Sequence, residues 1–174
     1  DLKKIINQCS RQNKKIFSIV ATLGTTIRGA IDPIKAIGDI CKNNKIWLHI
    51  DGSIGGIYGI TNISIDGLNN LNYANSITIN PQKILGITKT SSILLVSNSN
   101  SLKKTFKTGI PYISSNEGVI DRGELGIQGS RPAEVIKLWL GLRSLGISGI
   151  EHILNSSIIR REFFENNLRS ANFE

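Results

Sequence analysis

Methionine is absent from all 174 residues, and cysteine appears only as Cys9 and Cys41. With no methionine even at position 1, and helix-like sequence at both ends, the chain reads as an internal piece of a longer polypeptide. Two cysteines so far apart, without metal-ligand spacing, make neither a disulfide scaffold nor a metal site, and they fit reduced thiols in a cytoplasmic protein. No apolar run approaches the roughly 18 residues needed to cross a bilayer, and no signal peptide is visible. Aromatic residues make up only 6%, so the excess of 21 Lys and Arg over 13 Asp and Glu is not interleaved with rings. The lysines fall in scattered pairs, Lys3-Lys4, Lys14-Lys15 and Lys103-Lys104, which reads as solvated surface with no nucleic-acid partner and no membrane partner. Internal repeats and low-complexity tracts are missing too.

What is present is a 40% hydrophobic chain, enough for one sizeable core. Phe17 to Ala21 (FSIVA) has strand length and is closed by the turn-like Gly24-Thr25-Thr26. Asp32 and Pro33 suit the N-cap and first position of an amphipathic helix over Ile34 to Lys42. Ile46 to Ile50 (IWLHI) predicts a buried strand that ends at Asp51 and delivers that acid into the loop Gly52-Ser53-Ile54-Gly55-Gly56. Ser76 to Ile79 and Ser92 to Val96 complete a set of short buried strands, with Lys83 in the connection between them. The alternation predicts an α/β fold with a mainly parallel sheet and flanking helices, whose ligands sit at the carboxyl ends of the strands. Ser101 to Asp121 reads as a long polar loop around Pro111-Tyr112. Pro132 to Leu145 predicts a helix that buries Val135, Ile136, Leu138, Trp139, Leu142 and Leu145, and a capping box, Ser148 with Glu151, opens a last helix.

Three polar residues, Thr26, Asp51 and Lys83, each follow a predicted strand, so a parallel sheet brings all three to one edge. Acid and amine there leave two readings open. One is a salt bridge between Asp51 and Lys83; the other is a Schiff-base lysine with an acid for a cofactor's ring nitrogen.

ATLGTTIRGAIDPI (Ala21 to Ile34), WLHIDGSIGG (Trp47 to Gly56), SITINPQKILG (Ser76 to Gly86) and QGSRPAEVIKLWLGLRSLG (Gln128 to Gly146) resemble consecutive blocks of the group II pyridoxal-phosphate-dependent amino acid decarboxylases. Order and spacing both match, with Thr26 25 residues before Asp51 and Asp51 32 before Lys83. The resemblance implies the fold-type I, transferase-like large domain of that family, in part. Residues 1–100 are then the core of the cofactor-binding domain, 101–127 a mobile active-site loop region, and 128–174 helices that lead towards a small domain. It also implies pyridoxal 5'-phosphate as cofactor, an L-amino acid as substrate, and a homodimer.

Site roles follow from the same resemblance, residue by residue. Lys83 matches the lysine that binds the cofactor covalently, and Asp51 the carboxylate paired with the pyridine nitrogen. Thr26 matches a threonine that contacts the cofactor beside that acid. Ser53 stands where an alanine commonly packs against the ring. Asn80 and Gln82 stand near the cofactor phosphate, with Gln82 in place of the usual histidine; glutamine still donates a hydrogen bond but carries no charge. His49 matches a histidine near the cofactor, with acid–base potential. Tyr112 resembles the loop tyrosine that protonates the α-carbon after CO2 leaves. Gly129 and Ser130 resemble a segment that reaches the neighbouring subunit's pocket. Arg131 is open to phosphate, substrate carboxylate or a surface ion pair. A related carbon–carbon lyase or aldehyde synthase is the nearest alternative activity; a non-catalytic remnant or a basic binding module is the alternative of another class.

Overall fold

The computed structural model describes residues 1–89, 91–107 and 122–171. Four short strands, β1 (Ser18–Thr22), β2 (Trp47–Asp51), β3 (Ser76–Ile79) and β4 (Ile93–Val96), form one sheet in the order β1-β2-β3-β4. The first three run parallel, and β4 returns antiparallel to β3. A mainly parallel sheet was expected from buried strands interleaved with helices, and that is the architecture found.

Among the described residues, five α-helices accompany the sheet: α1 (Leu2–Arg11), α2 (Ile34–Asn44), α3 (Pro81–Ile84), α4 (Asn100–Phe106) and α5 (Glu134–Ser170). Because side chains alternate along a strand, Leu48 and Ile50 leave one face of β2 while Trp47, His49 and Asp51 leave the other. Leu48 and Ile50 are fully buried with Ala21, Leu23, Ile34, Cys41, Ile46 and Ala74, so this face packs on α2. A second cluster joins Ile57, Ile79, Leu85 and Ile87 to Ile150 and Leu154 of α5. The polar face of β2 is therefore free to build a site.

Several local expectations need correction. Asp32 does not cap α2: its Oδ2 accepts the Thr22 N–H at 2.7 Å, and Pro33 occupies the cap position instead. The carboxylate gains more by pairing with the last residue of β1, whose own carbonyl accepts the Asp32 N–H at 2.9 Å. β4 is not buried: Leu94 and Leu95 are each about half exposed, as befits an edge strand. The stretch read as loop from Ser101 begins in α4, where Leu102 and Phe106 are half-buried at helical spacing. Arg122–Leu125 form a 3₁₀ turn; Tyr112 and its neighbours lie outside the described residues.

The two predicted C-terminal helices are both present as the halves of α5, joined at Gly146, whose φ 59 and ψ 176 are non-helical. Only glycine adopts that backbone without strain. On the first half, Leu138, Leu142 and Leu145 are half-buried as expected, whereas Val135, Ile136 and Trp139 are exposed; the sheet cluster meets one edge of the apolar stripe only. Glu151 forms no capping box. Its Oε1 accepts instead from the Asn62 N–H at 2.9 Å and Nδ2 at 3.1 Å.

Candidate functional site

Parallel pairing sets Thr22, Asp51 and Thr78 side by side at the carboxyl ends of β1, β2 and β3. The same register, two residues earlier, sets Val20, His49 and Ser76 in a row. Strand sequences that alternate polar and apolar residues, WLHID and SITI, put the polar members of both strands on the face opposite the α2 core.

Asp51 ends β2 and is half-buried. Its Oδ1 accepts both the Ser53 hydroxyl and the Ser53 N–H, the latter at 3.0 Å. The Ser53 hydroxyl, foremost, holds the carboxyl below the ordinary carboxylate value against the opposing effect of burial. The Ser53 N–H and the charges of Lys83 and His49 add in the same direction. Ser53, expected as a small residue able to lie against a ring, thus also grips the acid.

The loop after Asp51 fits tightly because it is rich in glycine. Gly55 donates to the Leu23 carbonyl at 3.0 Å, and a Cβ at Gly55 would come within 2.5 Å of that same oxygen. The Ser53 carbonyl then accepts the Asn80 N–H at 3.3 Å. That one bond joins the Asp51 loop to the turn that carries Lys83.

Lys83 sits on α3, a single turn opened by Asn80 and Pro81. Pro81 is buried and supplies the fixed φ that a first helical position favours. The Lys83 N–H reaches the Asn80 carbonyl at 3.0 Å, and the side chain is exposed on the side from which its charge acts on Asp51. Among the described residues no ion pair joins the two. The salt-bridge reading of Lys83 and Asp51 does not hold; acid and amine share an end of the sheet without neutralising each other.

Asn80 and Gln82 brace this turn against the start of β4. Asn80 Oδ1 accepts the Ser92 hydroxyl at 2.6 Å, and Gln82 Oε1 accepts the Ser91 N–H at 3.0 Å. With both oxygens occupied, each side chain still has its amide NH2 to offer an anion. His49 is held at both ring nitrogens, Nδ1 at 2.8 Å from Ser76 Oγ and Nε2 at 3.2 Å from Thr78 Oγ1. Neither Ser76 nor Thr78 was singled out from the sequence. Their signal was the period-2 alternation of SITI, which faces both towards β2.

Other expected residues are not brought in. Thr26 is exposed, and its turn is held by Thr25 instead, whose Oγ1 accepts the Ala30 N–H at 3.0 Å. Gly129 and Ser130 are exposed in the segment before α5, with no hydrogen bond to Asp51, Lys83 or His49 among the described residues. Among those residues no group of three or more His, Cys, Asp or Glu is placed to hold a metal ion, and no helix is long and apolar enough to cross a membrane.

The donor set fits pyridoxal phosphate. Asp51 keeps Oδ2 without a partner among the described residues while Oδ1 is anchored, Lys83 offers an unpaired amine at the same end, and two amide groups flank it. Comparison with known proteins agrees. The family model described as pyridoxal-dependent decarboxylase conserved domain matches residues 1–174. The chain is 33% identical over 168 residues to an aromatic-L-amino-acid decarboxylase of Bacillus atrophaeus, covering 94% of this chain and 35% of that protein. It is 29% identical over 180 residues to human cysteine sulfinic acid decarboxylase, covering 100% of this chain and 36% of that one. The solved structure of mouse CSAD superposes with a TM-score of 0.88 at 28% identity, over 97% of this chain and 35% of that chain. The chain therefore spans about a third of the length of the relatives it matches.

Proposed function

The chain belongs to the pyridoxal-dependent decarboxylase family, and from that premise we propose that it carries the cofactor-anchoring part of an enzyme that removes the α-carboxylate of an L-amino acid as CO2. The observation that carries this reading is the bond from the Asn80 N–H to the Ser53 carbonyl, 3.3 Å long. It fastens the loop of the acid to the turn of the lysine, so the two groups that the cofactor needs keep a fixed relation.

Pyridoxal phosphate, when bound, supplies the sink for the electron pair that CO2 leaves behind. Lys83 Nζ would be the amine that holds the cofactor at its carbonyl carbon. Asp51 Oδ2 would pair with the ring nitrogen, and its own low proton affinity, enforced by Ser53, would leave the proton on the ring. Ser53 and His49 would border the ring, and the amides of Asn80 and Gln82 would donate to phosphate. Tyr112 returns a proton to the α-carbon. Gly129 and Ser130 complete the pocket of a second subunit, and the exposed Val135, Ile136 and Trp139 support a homodimer contact on the first half of α5. The two free cysteines support a reducing, cytoplasmic setting.

The test is covalent. The full-length protein, incubated with pyridoxal phosphate and reduced with borohydride, is expected to carry the label on Lys83 and to release CO2 from at least one amino acid of a panel. A label elsewhere, or none, would sink the assignment.

A further inference from the structure

We propose that Trp47 and Ser76 are positioning residues that fix the proton of His49 on Nε2, and so make this imidazole a rigid neighbour of Asp51 and not a carrier of protons. The role in catalysis rests on the reading above; the tautomer does not.

One line of hydrogen bonds runs along the polar face of the sheet. Trp47 Nε1 lies 2.9 Å from Ser76 Oγ. An indole N–H only donates, so the serine oxygen must accept there. The Ser76 hydroxyl proton then needs an acceptor of its own, because Ser76 is buried and an unpaired buried hydroxyl is costly. His49 Nδ1, 2.8 Å away, is the acceptor among the described residues. An imidazole that accepts at Nδ1 carries its proton at Nε2, where Thr78 Oγ1 lies 3.2 Å away as recipient. The Trp47 donor occupies one lone pair of the Ser76 oxygen, and the buried hydroxyl's need for an acceptor sets the direction of the rest of the line.

Asp51 is the ionisable group nearest to His49 along β2, and Lys83 faces Asp51 from α3. For His49 to take up a proton at Nδ1, the Ser76 hydroxyl would have to rotate its own proton off that nitrogen, in a buried position where an unpaired hydroxyl is costly.

Nitrogen-15 NMR of the histidine ring reads the tautomer directly, on full-length protein without cofactor, with the His49 signals assigned through His49→Gln. The wild type is expected to show an unprotonated Nδ1 and a protonated Nε2. Ser76→Ala and Trp47→Phe are each expected to populate both tautomers, and Ser76→Thr, which keeps the hydroxyl, to restore the wild-type pattern. A wild-type ring protonated at Nδ1 overturns the proposal, as does a pattern that neither Ser76→Ala nor Trp47→Phe moves. In the cofactor-loaded protein, Ser76→Ala should lower the rate about tenfold, the scale of one lost hydrogen bond, with borohydride labelling of Lys83 undiminished. An unchanged rate at full labelling would overturn the positioning role. Absence of label from wild-type protein would instead sink the decarboxylase reading and leave the NMR result standing.

Discussion

The carboxyl end of β2 and the first half of α5 treat their side chains in opposite ways. At β2, nearly every polar group is tied: Asp51 to Ser53, His49 to Ser76 and Thr78, and the following loop to Leu23 and Asn80. Along the first half of α5, Val135, Ile136, Trp139 and Leu140 stand more than half exposed, and Arg143 covers the Trp139 ring from 5.3 Å. The difference shows which part of the site the chain organises by itself. The acid, lysine and histidine are positioned from within; the helix presents apolar surface outward, ready for contact with something else.

Four substitutions would break or sharpen this contrast. The largest effect is expected from Asp51→Ala in the full-length protein, which removes the carboxylate proposed to pair with the ring nitrogen. An uncompensated charge of that kind costs about 3 kcal/mol or more, or on the order of a hundredfold in rate, measured as CO2 release at saturating cofactor. Leu48→Ala, at a side chain with 0% exposure under the same strand, should cost about 2–5 kcal/mol of unfolding free energy in denaturant titrations. Glu151→Gln should weaken the clasp on Asn62 by about 1 kcal/mol in the same assay. Trp139→Ser should change subunit stability by less than about 0.5 kcal/mol and show itself in subunit association, followed by sedimentation; a large loss of subunit stability would erase the contrast.

Acid titration adds a finer cut. Because the Asp51 carboxyl is held below its ordinary value of 3.8, its contribution to stability is complete above that value and is lost as pH falls below it. Ser53→Ala removes the main cause, so the mutant should lose less stability over that acid range than the wild type.

Much of this arrangement was legible in the sequence, for physical reasons. A strand that buries one face declares itself through apolar period, so IWLHI and SITI gave the sheet and placed Asp51 and Lys83 beyond strand ends. Spacing between the blocks then made the pair recognisable. Less legible was which of several competing partners a polar side chain takes. Asp32 could cap a helix or pair with β1, and Glu151 could cap a helix or reach Asn62; in both cases the winning partner is remote in sequence or on another element. Exposure of Val135, Ile136 and Trp139 was hidden too, because apolar periodicity reports a face that wants covering and not what covers it. Thr25 and Thr26 are adjacent and chemically equal, and only backbone geometry says which one closes the turn.

The bonds between Asn62 and Glu151 span 89 residues, and the second apolar cluster likewise waits for Ile150 and Leu154 to meet Ile57, Ile79 and Ile87. A ribosome makes the chain from its amino end, so the α2 core is assembled first, from residues that are all in place by Ala74. The other cluster has no lid until about 80 further residues have followed, at an elongation rate of roughly 5–20 residues per second. For several seconds of each synthesis, Ile57 and Ile79 are without the α5 residues that cover them in the finished fold.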